Sequence, residues 1–343
     1  MTSKRLSVVI PGYNNPEKWW RRSIDSVLAN ISKDDEIICV DDGSSERPNV
    51  LDCYAAIDPR VRIIYREKNG GLSVARNQAM TLARGEYITF LDSDDELEPL
   101  TYEKALNALV RTKSDIAVFG VRSIWVSEKL FKENVPIDAD LGCLNACDVR
   151  SLFDNCLLNY AWNKVYRSSF IKAHHLLFDP AGMPCEDIMF VLECVMAGAK
   201  WATVGHLGIN YYKTHLSLLS RYKSSYMEGI KRSSSTWRRY KEFDVSARSV
   251  LGDLGEVSDL DLLVGQWDNI WRVASPYCLR DKWDYLKRNR EICCGRNLAF
   301  FFVKRMIYSF CRKNFYFPPV QRWHIRRVYP DVRPLSEMEG FEC

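Results

Sequence analysis

The sequence predicts an α/β protein: a mostly parallel sheet flanked by helices. Short apolar runs of strand length alternate with longer segments of helical spacing through the first 119 residues. Each apolar run ends at a turn-forming or acidic cluster, as strands do in βαβ units. The balance is globular, 47% hydrophobic and 27% charged, and 343 residues suffice for one large domain or two ordinary ones.

Leu6–Ile10 reads as a buried strand closed by Pro11-Gly12. Pro16–Asn30 reads as a helix, because Trp20, Ile24, Val27 and Leu28 fall on one side. Glu36–Val40 is a second strand stopping at Asp41-Asp42-Gly43-Ser44, and Val61–Tyr65 a third that leads to Asn69-Gly70-Gly71. A helix follows over Ser73–Ala83, with Ser73 as its expected N-cap. Glu86–Leu91 is the fourth strand, Pro99–Thr112 a helix and Asp115–Phe119 the fifth strand. Further on, Asp148–Leu158 reads as helical, Ala161–Tyr166 as extended and Glu186–Ala197 as helical. Lys200–Val204 and Leu207–Lys213 read as two strands, and the chain beyond Ser224 as mostly helical.

This alternation places Tyr13-Asn14, Asp41-Asp42 and Asp92–Asp95 along the carboxyl edge of the sheet, where open α/β sheets bind ligands. Asp92, Asp94 and Asp95 put three carboxylates within four residues. Such groups repel, and burying them unpaired is costly. A hard divalent cation among them relieves both problems, since Mg²⁺ and Mn²⁺ favour oxygen ligands. Asp41-Asp42-Gly43-Ser44 admits two readings: an acceptor for a base N–H or ribose hydroxyl, or an Asx turn. Asn69-Gly70-Gly71 either offers backbone N–H groups to an anion or makes an ordinary turn. Glu186-Asp187, opening a helix after Pro184, either offsets the helix dipole or supplies a general base. His215 is either structural or a ligand.

Several classes are excluded. A haloacid-dehalogenase phosphatase needs Asp two positions before Asp42, where Val40 stands. No Walker A loop and no dinucleotide-binding glycine pattern occurs. The net charge of +4 does not mark a nucleic-acid binder. No run approaches the ~18 apolar residues of a membrane span. Twelve scattered cysteines in a chain of this length suggest reduced thiols in a cytoplasmic setting.

Taken in order, the motifs resemble the inverting family 2 glycosyltransferases with the GT-A fold. They are Val8-Val9-Ile10-Pro11-Gly12-Tyr13-Asn14, Val40-Asp41-Asp42-Gly43-Ser44-Ser45, Asn69-Gly70-Gly71 with Ala75-Arg76-Asn77, Gly85-Glu86-Tyr87-Ile88, Leu91-Asp92-Ser93-Asp94-Asp95, Trp162-Asn163-Lys164-Val165-Tyr166 and Glu186-Asp187-Ile188. The resemblance covers residues 6–220 and implies a GT-A catalytic domain over 1–220. It also implies a nucleotide-diphosphate sugar donor, above all a UDP-sugar, with Mg²⁺ or Mn²⁺ and a glycan or lipid-linked acceptor. The donor would be bordered by Pro11, Tyr13, Asp41, Asp42, Arg76, Asp92 and Ser93. Asp92, Asp94 and His215 would hold the metal, with Asp95, Trp162 and Lys164 toward the acceptor. Asp187 would be the general base, with Glu186 beside it. Such enzymes build capsule, O-antigen or exopolysaccharide. Gly12 departs from the apolar residue common in that family, which suggests a looser loop.

Residues 221–343 read as a helical, basic and aromatic region. From Gly295 to Val328 there are eight Lys or Arg and no Asp or Glu, interleaved with aromatics. That composition suits an anionic membrane surface at the inner face of the plasma membrane, or a helix packed back on the catalytic domain. A nucleotidyltransferase would instead carry a glycine-rich basic loop after the first strand, where Pro11-Gly12-Tyr13-Asn14 stands. A non-catalytic sugar-nucleotide module would have no use for Asp92, Asp94 and Asp187 together.

Overall fold

The computed structural model of the chain describes residues 6–127, 129–213, 226–244, 246–252 and 331–338. They divide into two compact units. The first holds residues 1–123, 133–212 and 228–255, and the second holds 124–132, 213–227 and 256–343.

Apolar runs that can be buried on both faces build the sheet of the first unit. Strands β1 (Leu6–Gly12) and β2 (Glu36–Asp41) are buried along nearly their whole length. With β3 (Val61–Tyr65) and β4 (Tyr87–Phe90) they form a parallel block in the order β3-β2-β1-β4. Burial on both sides explains the continuous Val and Ile runs, which differ from the alternation of a half-exposed strand. The short β5 (Glu96–Leu97) pairs with β10 (Lys200–Lys213). Next to β4 comes β9 (Lys164–Arg167), antiparallel to it, and then β6 (Ile116–Trp125), antiparallel to β9. Strand β8 (Ala139–Cys143) also pairs with β10.

Helices α1 (Glu17–Leu28), α2 (Asn49–Ile57), α3 (Leu72–Leu82) and α4 (Thr101–Thr112) connect the early strands. Helix α1 buries Trp20, Ile24 and Val27, the face its spacing predicts. Gly71, not Ser73, stands at the start of α3, with φ +88°. A left-handed backbone there suits glycine, and Ser73 is a buried helical residue. The two strands expected over 200–213 are one, and α2 was not expected. Later come α5 (Ala146–Asp154), α6 (Ser168–Ala173), α7 (Glu186–Met196), α8 (Tyr226–Phe243) and α9 (Ala247–Leu251). Asn145 caps α5 through a reciprocal bond with Asp148.

The boundary expected at residue 220 differs from this division. Trp237, Tyr240, Ala247 and Leu251 lie in the same core as the sheet residues, so 228–255 belong to the first unit. In the second unit, β7 (Leu130–Asn134) pairs through Leu130 and Phe131 with β11 (Arg333–Pro334), and Lys132 meets Asp331 at 3.1 Å. The stretch 295–328 lies outside the described residues.

Position 12 is tight, not loose. A Cβ there would stand 2.4 Å from Trp20 Cζ2 and 2.6 Å from Ser93 Oγ. Gly12 thus lets buried Trp20 pack under the loop that carries Ser93. Gly12→Ala is expected to lower stability by about 1–3 kcal/mol in urea denaturation, the usual cost of overpacking.

Candidate active site

Four segments meet at the carboxyl edge of the parallel block: the ends of β1 and β2, the loop after β4, and the start of α7. Pro11 is buried at the end of β1, and Tyr13 beyond it is exposed. Asp41 is buried at the end of β2, where its carboxylate accepts from Ser44 Oγ. Ser44 also accepts from Asn14 N at 2.8 Å, tying the two loops together.

Asp42 faces elsewhere. Its carboxylate accepts from Gly70 N at 3.0 Å and Gly71 N at 2.7 Å, and pairs with Arg66 Nε at 3.0 Å. The Gly70 and Gly71 amides are therefore satisfied internally, and the anion-cradle reading of that loop is corrected. Burial, partly opposed by those amides and Arg66, raises the Asp42 carboxyl.

Asp92, Asp94 and Asp95 each bring an oxygen within 4.8 Å of the others, the one such cluster among the described residues. Asp95 is fully buried; one oxygen accepts from Tyr212 N at 3.0 Å and the other has no partner. Burial and the neighbouring carboxylate charges push Asp94 up to about 6 and Asp95 well above the usual range. An all-oxygen cluster with an orphaned buried oxygen fits a hard divalent cation. Ser93 accepts from Asn15 Nδ2, and Arg22 donates to Asp94 O while stacking 3.8 Å over the Tyr212 ring. Arg22 and Tyr212 escape a sequence reading because each looks like an ordinary surface residue on a helix or strand.

Arg76 links this cluster to α7. It is 0% exposed, Nη2 donates to Asp92 Oδ1 at 2.8 Å, and Nη1 pairs with Asp187 Oδ1. Burial disfavours the guanidinium charge, but Asp187 and Asp92 outweigh it and raise the group further. The other Asp187 oxygen accepts from Ala161 N at 3.0 Å. Next to it, Glu186 is buried, with one oxygen lacking a partner. Burial and the Asp187 charge raise its carboxyl far above the ordinary value. The two carboxylates are thus differentiated, one salt-bridged and one held toward its neutral form.

Trp162 is 2% exposed and stacks on Tyr160 with centroids 4.5 Å apart. Tyr211 leans against both. Burial, then the charges of Asp95, Asp94, Asp92 and Asp187, raises the Tyr211 phenol. Lys164 is buried, its ammonium turned to Leu157 O, Asn163 Oδ1 and Tyr160 O. His215 lies outside the described residues.

The family described as Glycosyl transferase family 2 matches residues 7–173, which contain Pro11, Asp41, Asp42, Arg76 and Asp92–Asp95 in the order described. Over those residues the chain is similar to glycosyl transferase family 2.

Similar proteins include EpsH of Bacillus subtilis (strain 168), which bears the name of a glycosyltransferase. It is 29% identical over 237 residues, 66% of each chain. The poly(ribitol-phosphate) beta-N-acetylglucosaminyltransferase TarP of Staphylococcus aureus (strain N315) is 31% identical over 208 residues, 58% of this chain and 60% of TarP. The chain spans less than two thirds of the first relatives it matches, 66%, 52% and 64% of their lengths. Among solved structures, S. aureus TarS 1–349 in complex with UDP-GlcNAc matches with a TM-score of 0.58 at 17% identity, over 84% of this chain and 80% of that one. That likeness supports the GT-A fold.

The raised Glu186 carboxyl gives a stability prediction with a definite sign. Its folded value exceeds its unfolded value, so the folded state binds the proton more tightly, and ionisation costs stability as pH rises between the two. Glu186→Gln removes that dependence. The melting temperature of Glu186→Gln minus that of wild type is expected to be more positive at about pH 8 than at about pH 5.

Proposed function

We propose that this protein is a family 2 glycosyltransferase that transfers a sugar from a UDP-sugar to an acceptor hydroxyl with inversion, in the assembly of a bacterial surface polysaccharide. The observation that carries the reading is the Arg76 bridge. It places Asp187 beside the acidic cluster while leaving the two on opposite sides of one guanidinium. A donor site and a proton acceptor a few ångströms apart are what a single displacement requires. The printed names of TarP and of the TarS complex with UDP-GlcNAc support a UDP-linked donor.

In this reading Pro11, Tyr13 and Asp41 border the nucleoside, Asp41 accepting a hydrogen bond from the base. Asp92 and Asp94 hold a divalent cation, Mg²⁺ or Mn²⁺, which when bound neutralises charge developing on the leaving diphosphate. Asp187 takes the proton of the acceptor hydroxyl as its oxygen attacks the anomeric carbon from the side opposite the diphosphate. Arg76 keeps that carboxylate aimed. Glu186, held toward its neutral form, donates a hydrogen bond toward the acceptor. The Trp162 ring backs the acceptor side. The donor-bearing region is 1–220 with α8 and α9 packed on it. Among the described residues no helix is long and apolar enough to cross a membrane. The basic, aromatic composition of 295–328 supports peripheral contact with an anionic membrane carrying a lipid-linked acceptor.

A panel of nucleotide sugars with Mn²⁺, scored by nucleoside-diphosphate release, tests the reading. Release that depends on acceptor is expected for one UDP-sugar, and no release from any donor would contradict it. Asp187→Asn is expected to lower transfer by roughly 10²-fold or more while UDP binding persists. Asp94→Ala is expected to abolish the part of UDP affinity that calorimetry shows to require Mn²⁺.

A further inference from the structure

Lys164 carries a charge into the wall behind Asp187. It opens β9 and is 0% exposed. Its ammonium donates to Leu157 O and Asn163 Oδ1, each at 2.7 Å, and to Tyr160 O. The Tyr160 carbonyl and the Ala161 N–H belong to one peptide group, and that N–H donates to Asp187 Oδ2 at 3.0 Å. A single amide therefore has the lysine cation on its oxygen and the Asp187 carboxylate on its hydrogen. The following carbonyl, Ala161 O, accepts from the Tyr166 hydroxyl at 2.9 Å, so the strip is fixed from both sides.

A cation on the carbonyl oxygen polarises an amide and strengthens its N–H as a donor. In a dry wall that effect is not screened by water. Burying an ammonium is costly, and an apolar side chain would fill the space without that cost. Burial lowers the Lys164 ammonium to about 7, opposed by the charge of Asp187. Asn163, buried beside it, donates to Phe119 O and Leu157 O and completes the knot.

We propose that Lys164 is a positioning residue that acts through the Tyr160–Ala161 peptide to fix the orientation of the Asp187 carboxylate. The inference rests on the reading of Asp187 as the general base. Lys164 itself touches no substrate, because its side chain is enclosed. The lysine holds the amide, the amide holds one carboxylate oxygen, and Arg76 holds the other. What remains of the carboxylate faces the site, where the acceptor proton is taken.

A double-mutant cycle on kcat decides the matter, using the full chain as wild type, Lys164→Met, Asp187→Asn and the double variant. Lys164→Met is expected to lower kcat roughly tenfold or more, with UDP affinity in Mn²⁺ within about twofold of wild type. In the Asp187→Asn background Lys164→Met is expected to have no further effect, since its action passes through that carboxylate. An unchanged kcat in Lys164→Met, or the same fold loss in both backgrounds, would overturn the proposal. If Lys164→Met does not fold, Lys164→Gln, which keeps a donor for Tyr160 O, carries the same cycle with a smaller loss. Wild-type transfer by Asp187→Asn would remove the base assignment and this inference with it. Loss of transfer in Asp187→Asn alone would spare the base and refute only the lysine's role.

Discussion

Arg76 brings a full positive charge to a place without solvent exposure, and the carboxylates that meet it come from distant parts of the chain. Asp92 lies 16 residues away in sequence and Asp187 lies 111 away. A buried guanidinium is tolerated only when its charge is compensated, so the loop after β4 and the start of α7 must both close on it. The rings of Phe90 and Phe178 enclose it, 5.7 and 5.1 Å from its carbon, and keep water from screening the pairs. The distance between the acidic cluster and the α7 carboxylates is thereby set by one side chain. Helix α3 is the rigid element that holds that side chain.

The remaining carboxylates along the same edge divide between holding loops and facing the site. Asp42 spends its oxygens on the Gly70 and Gly71 amides and on Arg66, which fixes the turn into α3. Asp95 ties the loop after β4 to the end of β10 through Tyr212 N. Asp41 accepts from Ser44 Oγ, and burial raises the carboxyls of Asp94 and Glu186. The common design is a carboxylate that receives backbone N–H groups where a loop would otherwise be loose.

Most of the parallel block is legible in the sequence, because β1 to β4 are buried runs that end at acidic or glycine clusters. Helix α2 is not, since only Val50, Leu51 and Tyr54 turn inward and the run is short. Strand β10 reads as two strands because Gly205-His206 interrupts its apolar pattern, yet the ladder continues through it. Ser73 has the chemistry of a cap, but Gly71 has the backbone freedom the turn needs. At the site, the order of the acidic motifs is readable along the chain, whereas their partners are not. Nothing local distinguishes Asp42, which accepts from the Gly70 and Gly71 amides, from Asp41, which accepts from Ser44 Oγ. Nor does anything local show that Lys164 is enclosed or that Arg76 spans two motifs, because those contacts join residues far apart in sequence.

The dependence of the site on the Arg76 charge is tested most directly by urea denaturation of two variants. Arg76→Met leaves Asp92 and Asp187 without their counterion, and a loss of about 3–5 kcal/mol is expected. Adding Asp92→Asn and Asp187→Asn to that variant removes the stranded charges, and most of the lost stability is expected to return. A loss below about 1 kcal/mol in Arg76→Met, or no recovery in the triple variant, would contradict the claim that one buried charge organises the site.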